Sequence, residues 1–216
     1  MHVSGMASQR VTHMPELSNI QTFEKLNGTD YKPILDKFVL VLKRIGLWNE
    51  EVEKAINDFE WNVDDNGFIY SSMVQLGHFK TKYSDIKVRP LVVVYTPTVD
   101  SSFTDNWMTC DLIIEAEDLR NEKYFHKSYD FVEKLTSEMQ KEFNQTGTYF
   151  TDEAQDGQDF EGLRTKDNSK LWQFDYAVIP LTLKNVYSEI PSTHLIIERG
   201  DFLEVYCKER WTKPSR

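Results

Sequence analysis

The residues in this chain best placed to do chemistry are carboxylates, and they fall into two groups. The first lies in the run Asp111-Leu112-Ile113-Ile114-Glu115-Ala116-Glu117. Positions two apart share one face of a strand, so Asp111, Glu115 and Glu117 are expected to project together. Carboxylates arranged in this way hold magnesium in metal-dependent nucleases and hydrolases. The lysine that often accompanies them is missing, because Glu117 occupies the Glu115-x-Lys position. The second group is Asp152, Glu153, Asp156, Asp159 and Glu161, set in a glycine-punctuated polar segment. Oxygen ligands at this density suggest calcium. An EF-hand loop begun at Asp152, however, places Ala154 third and Leu163 twelfth, where oxygen ligands are required. An acidic patch that steers and pairs with Lys and Arg of another protein is the better reading of these five residues.

Other chemistries find less support. His78, His126 and His194 stand far apart, with no His-x-x-x-His spacing. There is no Gly-x-Ser-x-Gly elbow and no phosphate-cradling glycine loop. The two cysteines, Cys110 and Cys207, form no Cys-x-x-Cys pair, which suits a reducing cytoplasm and buried free thiols. Arg199-Gly200-Asp201 reads as a hairpin turn. No metal, cofactor or catalytic residue is assigned.

The charge balance points the same way. With 35 acidic against 25 basic residues the net charge is −10. Such a chain repels phosphate backbones and anionic lipid, so neither nucleic acid nor membrane is expected as a partner. Apolar residues make up 40% of the chain and aromatics 13%, enough for a globular core. The first thirty residues hold no apolar stretch of signal-peptide length, and Phe38–Leu42 is too short to span a bilayer. A soluble, cytoplasmic protein is expected.

The elements that must position these residues follow from periodicity. Residues 1–15 read as a disordered leader, and 16–216 as a single α+β domain. Within it, 16–59 is expected to be a helical opening. Leu17, Ile20, Phe23 and Leu26 recur three apart, and Ile34, Leu35, Phe38, Val39, Leu42 and Ile45 form a stripe that Gly46 ends. Asn49 is placed to cap a third helix carrying Val52, Ala55, Ile56 and Phe59.

Residues 60–211 form the sheet-rich part. Asn66-Gly67 has hairpin-turn chemistry. Leu91–Thr96, between Pro90 and Pro97, reads as a strand buried on both faces and paired with Met108–Ala116. Phe131, Val132, Leu135, Met139 and Phe143 predict a helix over 127–143. Residues 144–169 read as a long loop. Leu171–Leu183 reads as one strand with Trp172, Phe174, Tyr176 and Val178 on one face. His194–Glu198 and Phe202–Cys207 read as a hairpin. The fold class is α+β: a mainly antiparallel sheet with an N-terminal helical segment and one long helix packed on a sheet face.

The expected function is a non-enzymatic acidic protein-binding module, of the kind an immunity or antitoxin-like inhibitor uses against a basic partner. The alternatives are a metal-dependent hydrolase or nuclease-like enzyme built on Asp111, Glu115 and Glu117, and a structural component of a phage or secretion assembly. The oligomeric state is left open.

Overall fold

A computed structural model describes residues 16–58, 61–62, 65, 73–75, 77–98, 101–120, 125–152 and 158–211; for 73–75, 125–127, 152 and 158–159 the backbone alone is described. The elements in chain order are β1 (Leu17–Lys25), α1 (Lys32–Ile45), α2 (Glu50–Asn57), β2 (Met73–Gln75), β3 (Phe79–Thr81), β4 (Ser84–Tyr95), β5 (Trp107–Glu115), α3 (Ala116–Arg120), α4 (Phe125–Gln140), β6 (Thr148–Asp152), α5 (Gln158–Thr165), β7 (Tyr176–Pro180), β8 (His194–Arg199) and β9 (Phe202–Cys207). The expected leader (residues 1–15) and the Asn66-Gly67 turn lie outside the described residues.

β1 corrects the expected helical opening: Leu17–Lys25 is a strand at the middle of the sheet. It pairs antiparallel with β5 from Leu17↔Glu115 to Lys25↔Trp107 and with β6 from Ser18↔Asp152 to Gln21↔Tyr149. A spacing of three fits a helical stripe, but on a strand it also sends successive apolar residues to opposite faces. Ile20 and Leu26 enter one core and Phe23 the other. Flanking strands on both sides satisfy the backbone of β1, and this tertiary pairing decides the conformation where local spacing leaves it open.

The sheet order is β2-β4-β5-β1-β6-β7-β9-β8, with β3 pairing β4 off this path, and every pairing is antiparallel. β1 and β4 are thus parallel to each other with β5 between them. β5 and β6 are parallel with β1 between them. With α1 following β1 and α4 following β5, the centre is two interleaved split βαβ units, the ferredoxin-like arrangement. β7, β9 and β8 extend it on one side.

α1, α2 and α4 cover one face. α1 buries Ile34, Leu35, Phe38, Val41, Leu42 and Ile45. It ends at Gly46, whose φ of 84° is left-handed. A Cβ there would also press on Lys82 at 3.2 Å, so glycine is needed twice over. α2 begins as expected at Asn49, whose Oδ1 accepts a hydrogen bond from the Val52 N–H at 3.0 Å. α4 packs on β1, β6 and β7 and against α1. Phe131, Val132, Leu135 and Met139 of α4, with Phe143 just beyond it, meet Ile20, Val92, Val94, Cys110, Leu112, Phe150 and Val178 in this core.

Charges on this helical face are paired. Glu24 on β1, buried, meets Lys37 of α1 at 2.6 Å. Glu138 of α4 takes Arg44 of α1 at 3.2 Å, Lys134 at 3.0 Å and Lys141 at 2.9 Å. Burial pushes the Glu138 carboxyl up. Hydrogen bonds and charge from Lys141 and Lys134 outweigh that and hold it at about 2.

The opposite face is aromatic over half its extent. Phe23, Tyr149, Ala177, Ile179, Leu203 and Val205 are covered by Phe160 of α5 and by Leu171, Trp172, Phe174 and Tyr187. The Tyr149 and Tyr187 hydroxyls lie 2.9 Å apart, and Tyr149 also donates to the Thr146 carbonyl at 2.6 Å.

Three further expectations change. The long loop of 144–169 contains β6 and α5; its Tyr149-Phe150 pair is the apolar signal of a strand too short for periodicity to reveal. Within 171–183 only Tyr176–Pro180 is strand. Trp172, at φ 74°, turns the chain, so Trp172 and Phe174 pack on the aromatic face while Tyr176 and Val178 enter the helical core. β4 is longer than expected and alternates in burial, with Pro90 inside it rather than at its edge. Pro90 pairs with Leu112 of β5 at a point where neither β2 nor β3 stands opposite among the described residues.

Candidate functional site: a polar window beside the aromatic core

The part of the second face not filled by rings is filled by polar side chains. Residues in register across a sheet share a face. One row runs Arg89 (β4), Ile113 (β5), Asn19 (β1), Thr151 (β6). The next row runs Leu91, Asp111, Gln21, Tyr149. In a third, Val93 and Thr109 lead to Phe23. Asn19, Gln21, Thr109, Asp111 and Thr151 thus form one contiguous patch over the three central strands.

The patch is deeply placed. Gln21 is 2% exposed, Thr151 0%, Thr109 4%, and Asn19 and Asp111 7% each. Thr109 Oγ1 donates to Asp111 Oδ2 at 3.2 Å. By contrast, Asn19 Oδ1, Gln21 Nε2, Thr151 Oγ1 and Arg89 Nε have no hydrogen-bond partner among the described residues. A buried polar group left unpaired costs about 1–3 kcal/mol, and groups of this kind in a native fold call for a specific explanation. Here they are neighbours, with an acceptor from Asn19, a donor from Gln21 and a hydroxyl that can be either. That set matches a group offering both a donor and an acceptor, such as an amide.

The residues expected to act from sequence are distributed differently. Asp111 lies in the window, but Glu115 is the last residue of β5 and sits 3.9 Å from His78. Glu117 belongs to α3, because the strand's period of two stops at Glu115. The three expected ligands therefore do not share one strand face. Among the described residues no three His, Cys, Asp or Glu side chains are grouped to hold a metal.

Of the acidic run, Asp152 closes β6 next to Thr151 and Asp159 lies in α5. Glu153 and Asp156 fall outside the described residues. Glu161 is already engaged, with Arg164 at 2.5 Å and Lys170 at 3.4 Å. Its pair with Lys170 ties α5 to the chain that follows it.

The remaining reactive types are structural. Cys110 is fully buried, and burial, then the charges of Asp111 and Glu24, push its thiol up. Cys110 and Cys207 are both free. Their strands are four places apart in the sheet, about 19 Å at the usual strand spacing, far beyond disulfide reach. His194 is buried, its Nε2 3.4 Å from the Phe174 carbonyl and its Nδ1 3.0 Å from Thr193 Oγ1. Burial lowers its pKa, favouring the neutral ring. No helix among the described residues is long and apolar enough to cross a membrane.

Sequence reasoning overlooked Asn19, Gln21 and Thr151. The signal present was the polar set between the apolar residues of β1, which on a helix would be an ordinary solvent face.

The fold is an α+β antiparallel sheet whose centre has the ferredoxin-like strand order, with a buried polar cluster on the face opposite α1, α2 and α4. No family model matches the chain, and neither a curated protein nor a solved structure is significantly similar to it.

Proposed function

We propose that this protein works by binding another protein, with the window of Asn19, Gln21, Asp111 and Thr151 as the centre of its site and the acidic run from Asp152 as the periphery. The observation that supports this reading is the set of adjacent, buried and unpartnered groups Asn19 Oδ1, Gln21 Nε2 and Thr151 Oγ1. They are buried in the free chain, so binding has to uncover them before a partner's side chain or extended segment inserts. Asp111 supplies the one carboxylate among them, and the net charge of −10 favours a basic partner. Asp152, Glu153, Asp156 and Asp159 would steer it; Glu161 contributes less, being neutralised within the chain. An inhibitor of immunity or antitoxin type, working in the cytoplasm where the two buried thiols stay reduced, fits this chemistry.

The test is quantitative capture of a binding partner from the native host, repeated with two variants. Gln21→Met keeps the volume and removes the amide; it should abolish capture while leaving the far-UV and near-UV spectra unchanged. Neutralising Asp152, Glu153, Asp156 and Asp159 should slow association and flatten its salt dependence. Capture that is indifferent to both variants overturns the reading.

A further inference from the structure

On the helical face, beneath the N-terminal half of α4, a cavity of about 310 Å³ opens between α3, β6 and the chain around Arg210. Its volume is at the lower end of the range for small-molecule sites. Its apolar lining includes Leu119, Val132, Phe150 and Trp211. Among the described residues its charge is opposite to that of the whole chain: Arg120 and Arg210 line it against one carboxylate, Asp175. Arg210 is held in place by an ion pair with Asp175 and by donation to the Phe174 carbonyl at 3.0 Å. Arg120 reaches out from α3 and meets Glu16 at 2.6 Å, a pair exposed on both sides. The first turn of α4 carries no acidic residue, so the positive end of that helix is not offset there.

A second observation is independent of the charges. Trp211 is 7% exposed and its indole N–H has no hydrogen-bond partner among the described residues. The ring itself is fixed, stacked on Tyr176 at 5.0 Å and edge-on to Tyr129 and Phe150. An indole N–H can only donate, and what it lacks is an acceptor.

We propose that this cavity binds a small organic anion, its apolar body on Phe150 and Val132 and its acid group accepting from the Trp211 indole N–H and turned toward Arg120. The site lies on the opposite face from the polar window and does not depend on it. Binding sets the ligand's acid group in competition with Glu16 for Arg120. Removing that competitor should therefore tighten binding, an outcome that nonspecific apolar adsorption would not produce.

The experiment is a titration of the full chain, labelled with ¹⁵N at tryptophan, followed through the Trp211 indole cross-peak. 1-Naphthoate is the probe and 1-naphthylmethylamine the charge-reversed control. Naphthoate should shift the peak saturably at millimolar concentration and the amine should not. Arg120→Gln should weaken naphthoate by about five-fold and Glu16→Gln should tighten it by roughly two-fold, ratios typical of exposed charge pairs. Both substitutions are at the surface and leave the core intact. An unmoved Trp211 peak, equal binding of the amine, or an affinity unchanged in both variants would overturn the proposal.

Discussion

The two faces of the central sheet are made by the same three strands and have opposite characters. Under the helices, β1 contributes Ile20, Thr22 and Glu24. The apolar residue is packed, Thr22 donates to the Gly147 carbonyl at 2.7 Å, and Glu24 is answered by Lys37. On the other face the same strand contributes Asn19, Gln21 and Phe23, and two of the three carry side-chain atoms without a partner. Along β1, the side chains under the helices are all engaged, while those on the other face leave polar atoms without a partner among the described residues. Buried polar groups are tolerable when satisfied and costly otherwise, and this contrast supports placing the proposed site on the second face.

That contrast can be broken by substitution. The largest effect should come from the helical face: Phe38→Ala empties a fully buried position and should cost about 3–5 kcal/mol in urea unfolding. Next is Glu138. Its folded pKa of about 2 lies below the ordinary 4.5, so it stabilises the fold above about pH 4.5 and loses that contribution as the pH falls toward 2. Glu138→Gln should therefore cost about 1–3 kcal/mol at neutral pH and flatten the acid limb of a stability–pH series.

On the other face the sign should reverse. Gln21→Met should raise stability by about 1 kcal/mol, because it removes an unpaired buried amide. A loss there as large as that of Phe38→Ala would show the window to be ordinary core and erase the distinction. The smallest effect belongs to the aromatic half. Tyr187→Phe deletes one side of the hydroxyl pair with Tyr149 and should cost about 1 kcal/mol in thermal melts.

The sequence announces the helical face far better than the other. α1, α2 and α4 show their apolar stripes, Asn49 and Gly46 act as caps, and the 194–207 hairpin folds around Gly200. These are local signals read over one or two turns. The strand β1 defeats that approach, since its apolar spacing of three serves a helix or a doubly buried strand equally. The error hides the site as well: once Leu17–Lys25 is read as a helix, Asn19 and Gln21 become surface. Thr151 is lost for a related reason, because β6 is five residues long and sits amid acidic and glycine residues that read as loop. Asp111 is visible in sequence as a carboxylate, but its role follows from Gln21 lying opposite, a pairing no local window contains.

The place of β1 in the sheet also has a consequence in time. Its hydrogen-bonding partners are β5, ending at Glu115, and β6, ending at Asp152. A strand carrying Ile20 and Phe23 therefore leaves the ribosome long before either neighbour exists. Closing such distant pairs is the slow part of folding, and chains dominated by them refold over roughly milliseconds to seconds. During synthesis β1 stays without its full set of neighbours until Asp152 has been made.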